Sequence, residues 1–268
     1  MQYSIVSWNI DGLRPEVVIC LTEYILENNP DVICLNETKK SEQIIIESLS
    51  HLKDYDLLIN THKPCHYHGV AMLIKKNIKY TRFFVKLNCK LRSDNKGEDA
   101  SSGRIILVKL NDKINLLATY SPNSGVSRTE PLKNLDYRIK EWDASLFKVL
   151  GMLPEDTIWI GDINVAPEDI DVTYPKSMSN RAGFTSEERD SFKNFMSSGN
   201  WIDIWRHQHP NKKEYSYRGY GKSRYLWRLD NCVISKSLKD NVIDTFIDSQ
   251  LDSPTDHVPI GIKLEIKQ

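Results

Sequence analysis

Six short apolar runs in this chain end in acidic or amide groups, and those groups could do metal-assisted phosphoester chemistry. The runs lead into or out of Ser7-Trp8-Asn9-Ile10-Asp11, Leu35-Asn36-Glu37-Thr38, Tyr120-Ser121-Pro122-Asn123, Gly161-Asp162-Ile163-Asn164, Arg228-Leu229-Asp230 and Thr255-Asp256-His257. Strand ends on one rim of a sheet sandwich converge in space, so groups far apart in sequence can share one cleft. Five carboxylates, several amides, a Tyr and a His gathered in this way have few explanations. Hard oxygen donors bind Mg²⁺, and Mg²⁺ beside a His–Asp pair suits phosphodiester hydrolysis.

The elements that would position these groups are legible as alternating apolar runs. Strands are expected over 2–8, 31–36, 55–59, 69–75, 104–110, 114–120, 157–161, 229–234 and 258–266, all short and rich in Ile, Val and Leu. Helices are expected over 15–28, 41–50, 133–150 and 187–197. The first has Pro15 at a natural opening position and apolar residues at Val17, Val18, Leu21 and Ile25. The link Asn111-Asp112-Lys113 is too short for a crossover, so its flanking strands should pair antiparallel. The pattern implies an α/β fold of two packed sheets flanked by helices. Stretches 86–102 and 205–228 read as long irregular loops, which in compact domains tend to be functional.

At 268 residues, without repeats or low-complexity segments, the chain fits one domain over 1–268. Its 40% hydrophobic and 27% charged residues are ordinary for a globular protein. No apolar run nears the roughly 18 residues of a membrane span, so no membrane partner is expected. A strand pattern already begins at residue 3, so no signal peptide is expected. Cys20, Cys34, Cys65, Cys89 and Cys232 form no CxxC pair. Cys20, Cys34 and Cys232 lie in apolar runs and read as core residues, which suits the cytoplasm or nucleus. Net charge is zero, which argues mildly against a dedicated nucleic-acid binder. A metal site, however, concentrates acids whose field a bound ion then inverts.

The motifs resemble those of the exonuclease III-type apurinic/apyrimidinic (AP) endonucleases, within the endonuclease/exonuclease/phosphatase superfamily. Carrying the likeness are Ser7 to Arg14, Leu35 to Lys39, Gly69-Val70-Ala71-Met72, Gly161 to Ala166, Ala182-Gly183-Phe184-Thr185 with Glu188-Arg189, Trp227-Arg228-Leu229-Asp230 and Thr255-Asp256-His257. They fall in family order and cover nearly the whole chain. The resemblance implies a four-layer sandwich of two mixed, mostly antiparallel sheets between helices, with a Mg²⁺ cleft; Mn²⁺ is the alternative ion. It implies that Glu37 and Asp256 ligate metal with Asn9 and Asp11 beside them, and that Asp162, Asn164 and His257 face the same ion. Asp162 with Asn164 would activate water, Asp230 would fix the tautomer of His257, and Tyr120 would contact phosphate. Each position has a bland alternative: Glu37 as a cap on the helix near Ser41, Gly-Asp-x-Asn as a turn, Tyr120 as core. Alternation would point Asp162 and Asn164 to one face. His62, Cys65, His66 and His68 invite a zinc reading, but Cys65 and His66 are adjacent and no second ligand pair follows at a usual interval.

Departures from the family concern grip on DNA. Tyr217 to Trp227 interleaves aromatic and basic residues, the composition of a nucleic-acid contact loop, yet is a few residues shorter than its family counterpart. Trp227 and Tyr217 would line a pocket for a flipped-out abasic sugar, and Arg218, Lys222 and Arg224 would contact the DNA backbone. Val126 stands where relatives can insert an Arg, with Arg128 nearby, and Asn180 or Arg181 would replace phosphate-binding Asn residues. The expected enzyme is a monomeric, Mg²⁺-dependent AP endonuclease cutting double-stranded DNA 5′ to abasic sites and trimming blocked 3′ ends. Alternatives are a superfamily hydrolase acting on RNA or another phosphoester, and a DNA-binding protein without catalysis.

Overall fold

Alternation of side chains along the strands sorts this chain into layers. The structure, a computed structural model, describes residues 1–62, 67–90, 99–125, 132–154, 156–219 and 225–266. Its elements begin with β1 (Gln2–Asn9), α1 (Pro15–Asn28), β2 (Val32–Asn36), α2 (Glu42–Leu49), β3 (Tyr55–Asn60) and β4 (Val70–Lys75). Next come β5 (Tyr80–Phe83), β6 (Ile105–Leu110), β7 (Ile114–Tyr120), α3 (Ala144–Met152) and β8 (Thr157–Asp162). Then follow α4 (Pro175–Met178), α5 (Ser186–Ser198), β9 (Trp201–Asp203), α6 (Ile204–Gln208), β10 (Tyr217–Arg218) and β11 (Leu226–Trp227). The chain closes with β12 (Asp230–Ser235), β13 (Val242–Ile247) and β14 (Ile260–Glu265).

Among the described residues, one six-stranded sheet runs β13-β14-β1-β2-β4-β3 and the other β5-β6-β7-β8-β12-β9, with β10-β11 as a separate ribbon. Pairs β1–β2 and β7–β8 are parallel, and the other neighbours are antiparallel. Tyr3 and Ile5 of β1, Val32 and Cys34 of β2, Leu116 and Ala118 of β7, and Ile158 and Ile160 of β8 meet between the sheets. The residues alternating with them face outward. Val6, Trp8, Ile33 and Leu35 pack under α1 and α2, while Leu117 and Trp159 pack under α3 and α5. Four layers result, as the sequence reading expects.

Boundaries mostly match expectation, and the differences have local causes. The helix expected over 133–150 is a π-helical stretch, Tyr137–Asp143, running into α3. Asn111 and Asp112 both take positive φ (46° and 56°), and Lys113 N–H bonds the Leu110 carbonyl at 2.9 Å, the primed two-residue turn of a hairpin. Strands β5 and β13 lie at sheet edges with half-exposed residues, which blurs the alternation. The 205–228 stretch is not wholly irregular, since it holds most of α6 and the β10–β11 ribbon. Cys34 and Cys232 are buried as expected, whereas Cys20 is only half-buried.

Candidate active site

The same alternation carries polar residues into the sheet–sheet interior at one rim. Continuing the inward phase beyond Ile5, Cys34, Ala118, Ile160 and Cys232 brings Asn9, Asn36, Tyr120, Asp162 and Asp230 to that face. Register then sets them side by side, pairing Asn9 with Asn36, Tyr120 with Asp162, and Asp162 with Asp230. Gly161 permits this crowding. Its φ is +145°, and an added Cβ would lie 2.0 Å from the Thr119 carbonyl oxygen.

Hydrogen bonds join the two sheets across this rim. Asn9 Nδ2 donates to Asp162 Oδ2 at 2.9 Å and to Glu37 Oε1 at 2.8 Å. The Asp162 N–H donates to Asn36 Oδ1 at 3.2 Å. Asp162 and Asn164 are not related by strand alternation. Asn164 leaves the strand in the left-handed region (φ 54°), its N–H donates to Asp162 Oδ1 at 2.9 Å, and its Nδ2 donates to the Ser121 carbonyl at 2.8 Å. A tight Asx-type turn thus puts both at the cleft, because the short Asp side chain can bond its own backbone two residues on. Glu37 does not cap α2, since Ser41 holds that cap by accepting from Ile44 N–H at 3.5 Å.

Glu37 and Asp11 are drawn together by a cation. Lys39 Nζ lies 2.6 Å from Asp11 Oδ1 and 2.5 Å from Glu37 Oε2. Burial opposes the charge on Lys39, but Glu37 and Asp11 outweigh it and raise its pKa. The ammonium is a stand-in ion: these hard oxygen donors, with Asp256 on the same cleft, fit a divalent cation. Burial and the charges of Asp11 and Glu37 raise the Asp256 pKa, opposed by His257, as expected of an acid among acids. Lys39→Met should leave Asp11 and Glu37 uncompensated without metal. For a partly exposed pair the cost is on the order of 1 kcal/mol, or ~2–4 °C of melting temperature in EDTA. Added divalent ion should stabilise this variant more than the parent, and equal stabilisation would refute Lys39 as the stand-in.

On the other side of Asp162 stands the His–Asp pair. His257 Nδ1 is 2.7 Å from Asp230 Oδ2, and both side chains are buried. Ser216 Oγ accepts the backbone N–H groups of Leu229 and Asp230 at 3.2 and 3.0 Å and fixes the strand entrance. Burial would discharge His257, but the charge and hydrogen bond of Asp230 raise its pKa to about 10. Asp230 therefore favours the imidazolium form of the ring. Burial and then the Asp230 charge push Asp162 up to about 8, partly offset by His257. Ligand atoms of Asp162, Asp230 and His257 all lie within 4.8 Å of one another. Burial beside Glu37 also holds the Tyr120 phenol neutral, well above its usual range. Behind it, Arg104 lies 5.0 Å from the ring centre and donates to the Tyr120 carbonyl at 3.1 Å. His62 and His68 are buried with their rings tilted at 32° and 4.2 Å apart, with His68 Nδ1 at 3.5 Å from Arg104, whereas Cys65 and His66 lie outside the described residues.

These groups open on a cleft of about 370 Å³ lined by Tyr120, Asp162, Asn164, His257, Tyr217 and Trp227, among others. Trp227 is 7% exposed and packs edge-on against Phe184 at 6.0 Å, so it is both core and wall. Tyr217 bridges His257, with rings 5.0 Å apart. Between Trp227 and Asp230 the buried Arg228 donates to Asp171 and Asp203 at 2.7 Å each, which anchors the wall from behind. Arg181 is exposed and lines the cleft, while Asn180 is exposed nearby. Arg218 is a correction: its guanidinium donates to the Ser249 carbonyl and, at 3.4 Å, to that of Leu251, so it braces a loop rather than reaching outward. Arg128, Lys222 and Arg224 lie outside the described residues. Sequence reasoning gave no role to Lys39, although it stands in the quoted motif, and nothing in the sequence marked Ser216.

Comparison with known proteins agrees with the fold and the family resemblance. The profile of the endonuclease/exonuclease/phosphatase family matches residues 6–257. A DNA-(apurinic or apyrimidinic site) endonuclease of Dictyostelium discoideum is 36% identical, over 99% of this chain and 71% of its own length. An exodeoxyribonuclease of Bacillus subtilis is 29% identical, over 98% of this chain and 99% of its own. The crystal structure of an AP endonuclease from Leishmania major superposes with a TM-score of 0.82 at 27% identity, covering 99% of this chain and 88% of that one.

Proposed function

Because the chain belongs to the endonuclease/exonuclease/phosphatase family, whose members hydrolyse phosphoesters, we propose that it is an AP endonuclease. On this reading it cuts double-stranded DNA on the 5′ side of an abasic site and also trims blocked 3′ ends, acting as a monomer. One observation carries the reading. Asp162 is wedged between a cation-holding carboxylate pair and an imidazolium, and the cleft beside them has an apolar wall of Met178, Trp227 and Leu229. Such a wall suits a deoxyribose that has no base to stack. A cytoplasmic or nuclear setting is part of the proposal, supported by the free buried thiols of Cys34 and Cys232.

The residues divide the work by their electrostatics. A proton acceptor works best with a pKa near the operating pH, and burial raises that of Asp162 from the ordinary carboxylate range toward it. It would take the proton of an attacking water held with the help of Asn164. His257, kept cationic by Asp230, and the neutral phenol of Tyr120 would donate to phosphate oxygens as negative charge builds. Glu37, Asp11 and Asp256 would hold Mg²⁺, with Mn²⁺ as a substitute, to supply Lewis-acid stabilisation of the phosphate. Arg181 at the cleft edge would position the DNA backbone.

The test is product mapping on a duplex carrying one tetrahydrofuran abasic analogue, with plain duplex, single-stranded RNA and a soluble phosphomonoester alongside, in Mg²⁺ or EDTA. A single cut 5′ to the analogue, lost in EDTA, is expected. Preference for RNA or for the monoester would overturn the reading. Trp227→Ala should lower abasic incision about tenfold or more, the scale of a lost apolar pocket contact, with far less effect on 3′-end trimming. Parallel losses in both activities with a lowered melting temperature would assign Trp227 to the core alone.

A further inference from the structure

Two exposed tyrosines meet beside the cleft. Tyr174 is 53% and Tyr225 39% exposed, and their rings meet nearly perpendicular, 6.1 Å apart. Tyr225 also lines the cleft. Their backbones are fixed. Thr173 N–H donates to the Leu226 carbonyl, and Leu226 N–H donates to Thr173 Oγ1, each at 3.0 Å, while Val172 bridges Trp227. The Tyr225 carbonyl accepts from Gly219 N–H at 2.9 Å, and the Tyr174 carbonyl accepts from Ser177 and Met178 N–H at 3.1 Å as α4 begins. Both rings are therefore presented from stitched segments that also carry the cleft wall.

Exposed aromatics scattered singly need no explanation, but a pair anchored beside a nucleic-acid cleft does. Tyrosine offers a large flat face at low conformational cost, and every base can stack on such a face. Tyr225 and Trp227 are two residues apart, about 7 Å of extended chain. Both line the cleft, so a sugar held at Trp227 has Tyr225 beside it. A missing base also leaves its neighbour without a stacking partner on one side, so displacement costs least there. We propose that Tyr174 and Tyr225 form a stacking platform for the nucleobase that flanks the abasic sugar on the same strand. This rests on the abasic-pocket reading above, and it assigns recognition of flanking DNA to aromatic stacking in a chain whose 217–227 loop is short.

The experiment uses the full chain in EDTA with a duplex carrying 2-aminopurine next to a tetrahydrofuran site and a dye on the far end. Dye anisotropy reports binding and 2-aminopurine emission reports stacking. The parent protein should bind this duplex more tightly than the intact one and change the 2-aminopurine emission. Tyr174→Ala/Tyr225→Ala should weaken that binding about tenfold and abolish the emission change, and Tyr225→Phe with Tyr174→Phe should restore both. Both positions are exposed, and melting curves check that the alanine variant folds. An unaltered emission change in that variant would overturn the platform while leaving the pocket intact. Equal parental affinity for abasic and intact duplex would overturn the pocket reading and the platform with it.

Discussion

His257→Asn is expected to lower abasic incision about 10²–10⁴-fold, the range for loss of a positioned acid or electrostatic stabiliser. The imidazolium is defined by its contact with Asp230, so Asp230→Asn should lose part of that factor by freeing the tautomer and lowering the ring's affinity for its proton. The two act as a unit, and the double variant should be little slower than His257→Asn alone. Multiplicative losses would show independent roles. The stability readout differs from the rate. His257→Asn strands the buried Asp230 carboxylate without its partner cation, so its melting temperature should fall. The double variant should recover stability without recovering rate. The pH dependence follows from the raised pKa of His257. Its contribution to stability is complete below the ordinary value of 6.5 and is lost as pH rises through about 10. The alkaline limb of the rate profile should therefore move to lower pH in Asp230→Asn, and an unmoved limb would detach it from His257.

Glu37→Gln is expected to remove most activity while leaving the fold nearly untouched. The change keeps size and one acceptor oxygen but withdraws a charge from a site where Asp11, Asp162 and Asp256 also congregate. Asn9 Nδ2 can still donate to an amide oxygen, so the bond that spans the sheets has a substitute. Lys39 would keep Asp11 as its partner. Rate should fall with a steeper demand for Mg²⁺, and near-parental rates in limiting Mg²⁺ would remove Glu37 from the ion's ligands.

Much of this site was legible because strand periodicity is a short-range property. Asn9, Asp162 and Asp230 share the phase of the apolar residues Ile5, Ile160 and Cys232 on their own strands, and that phase can be read without knowing which strands pair. Turn geometry is less legible: alternation carried past the end of the strand puts Asn164 on the face of Asp162, whereas an Asx turn with positive φ at Asn164 is what brings the two together. Arg218 was misread because its partners are carbonyls more than thirty residues downstream, invisible to composition. Trp227 shows a third case, where a residue is both core and wall and the sequence offers no means of weighing the two. Edge strands such as β13 were missed because half-exposed residues dilute alternation.

The inward phase of β8 also bears on how such a protein can diverge. Deleting Ile158 would turn Asp162 toward the helical layer and carry Trp159 into the space between the sheets. Chemistry and folding would fail in the same step, so length changes inside the central strands are closed to selection. The connecting segments at the rim carry no such parity. They can lengthen, shorten or exchange side chains while the reacting groups stay in register, which leaves choice of substrate free to drift over an unchanging reaction centre.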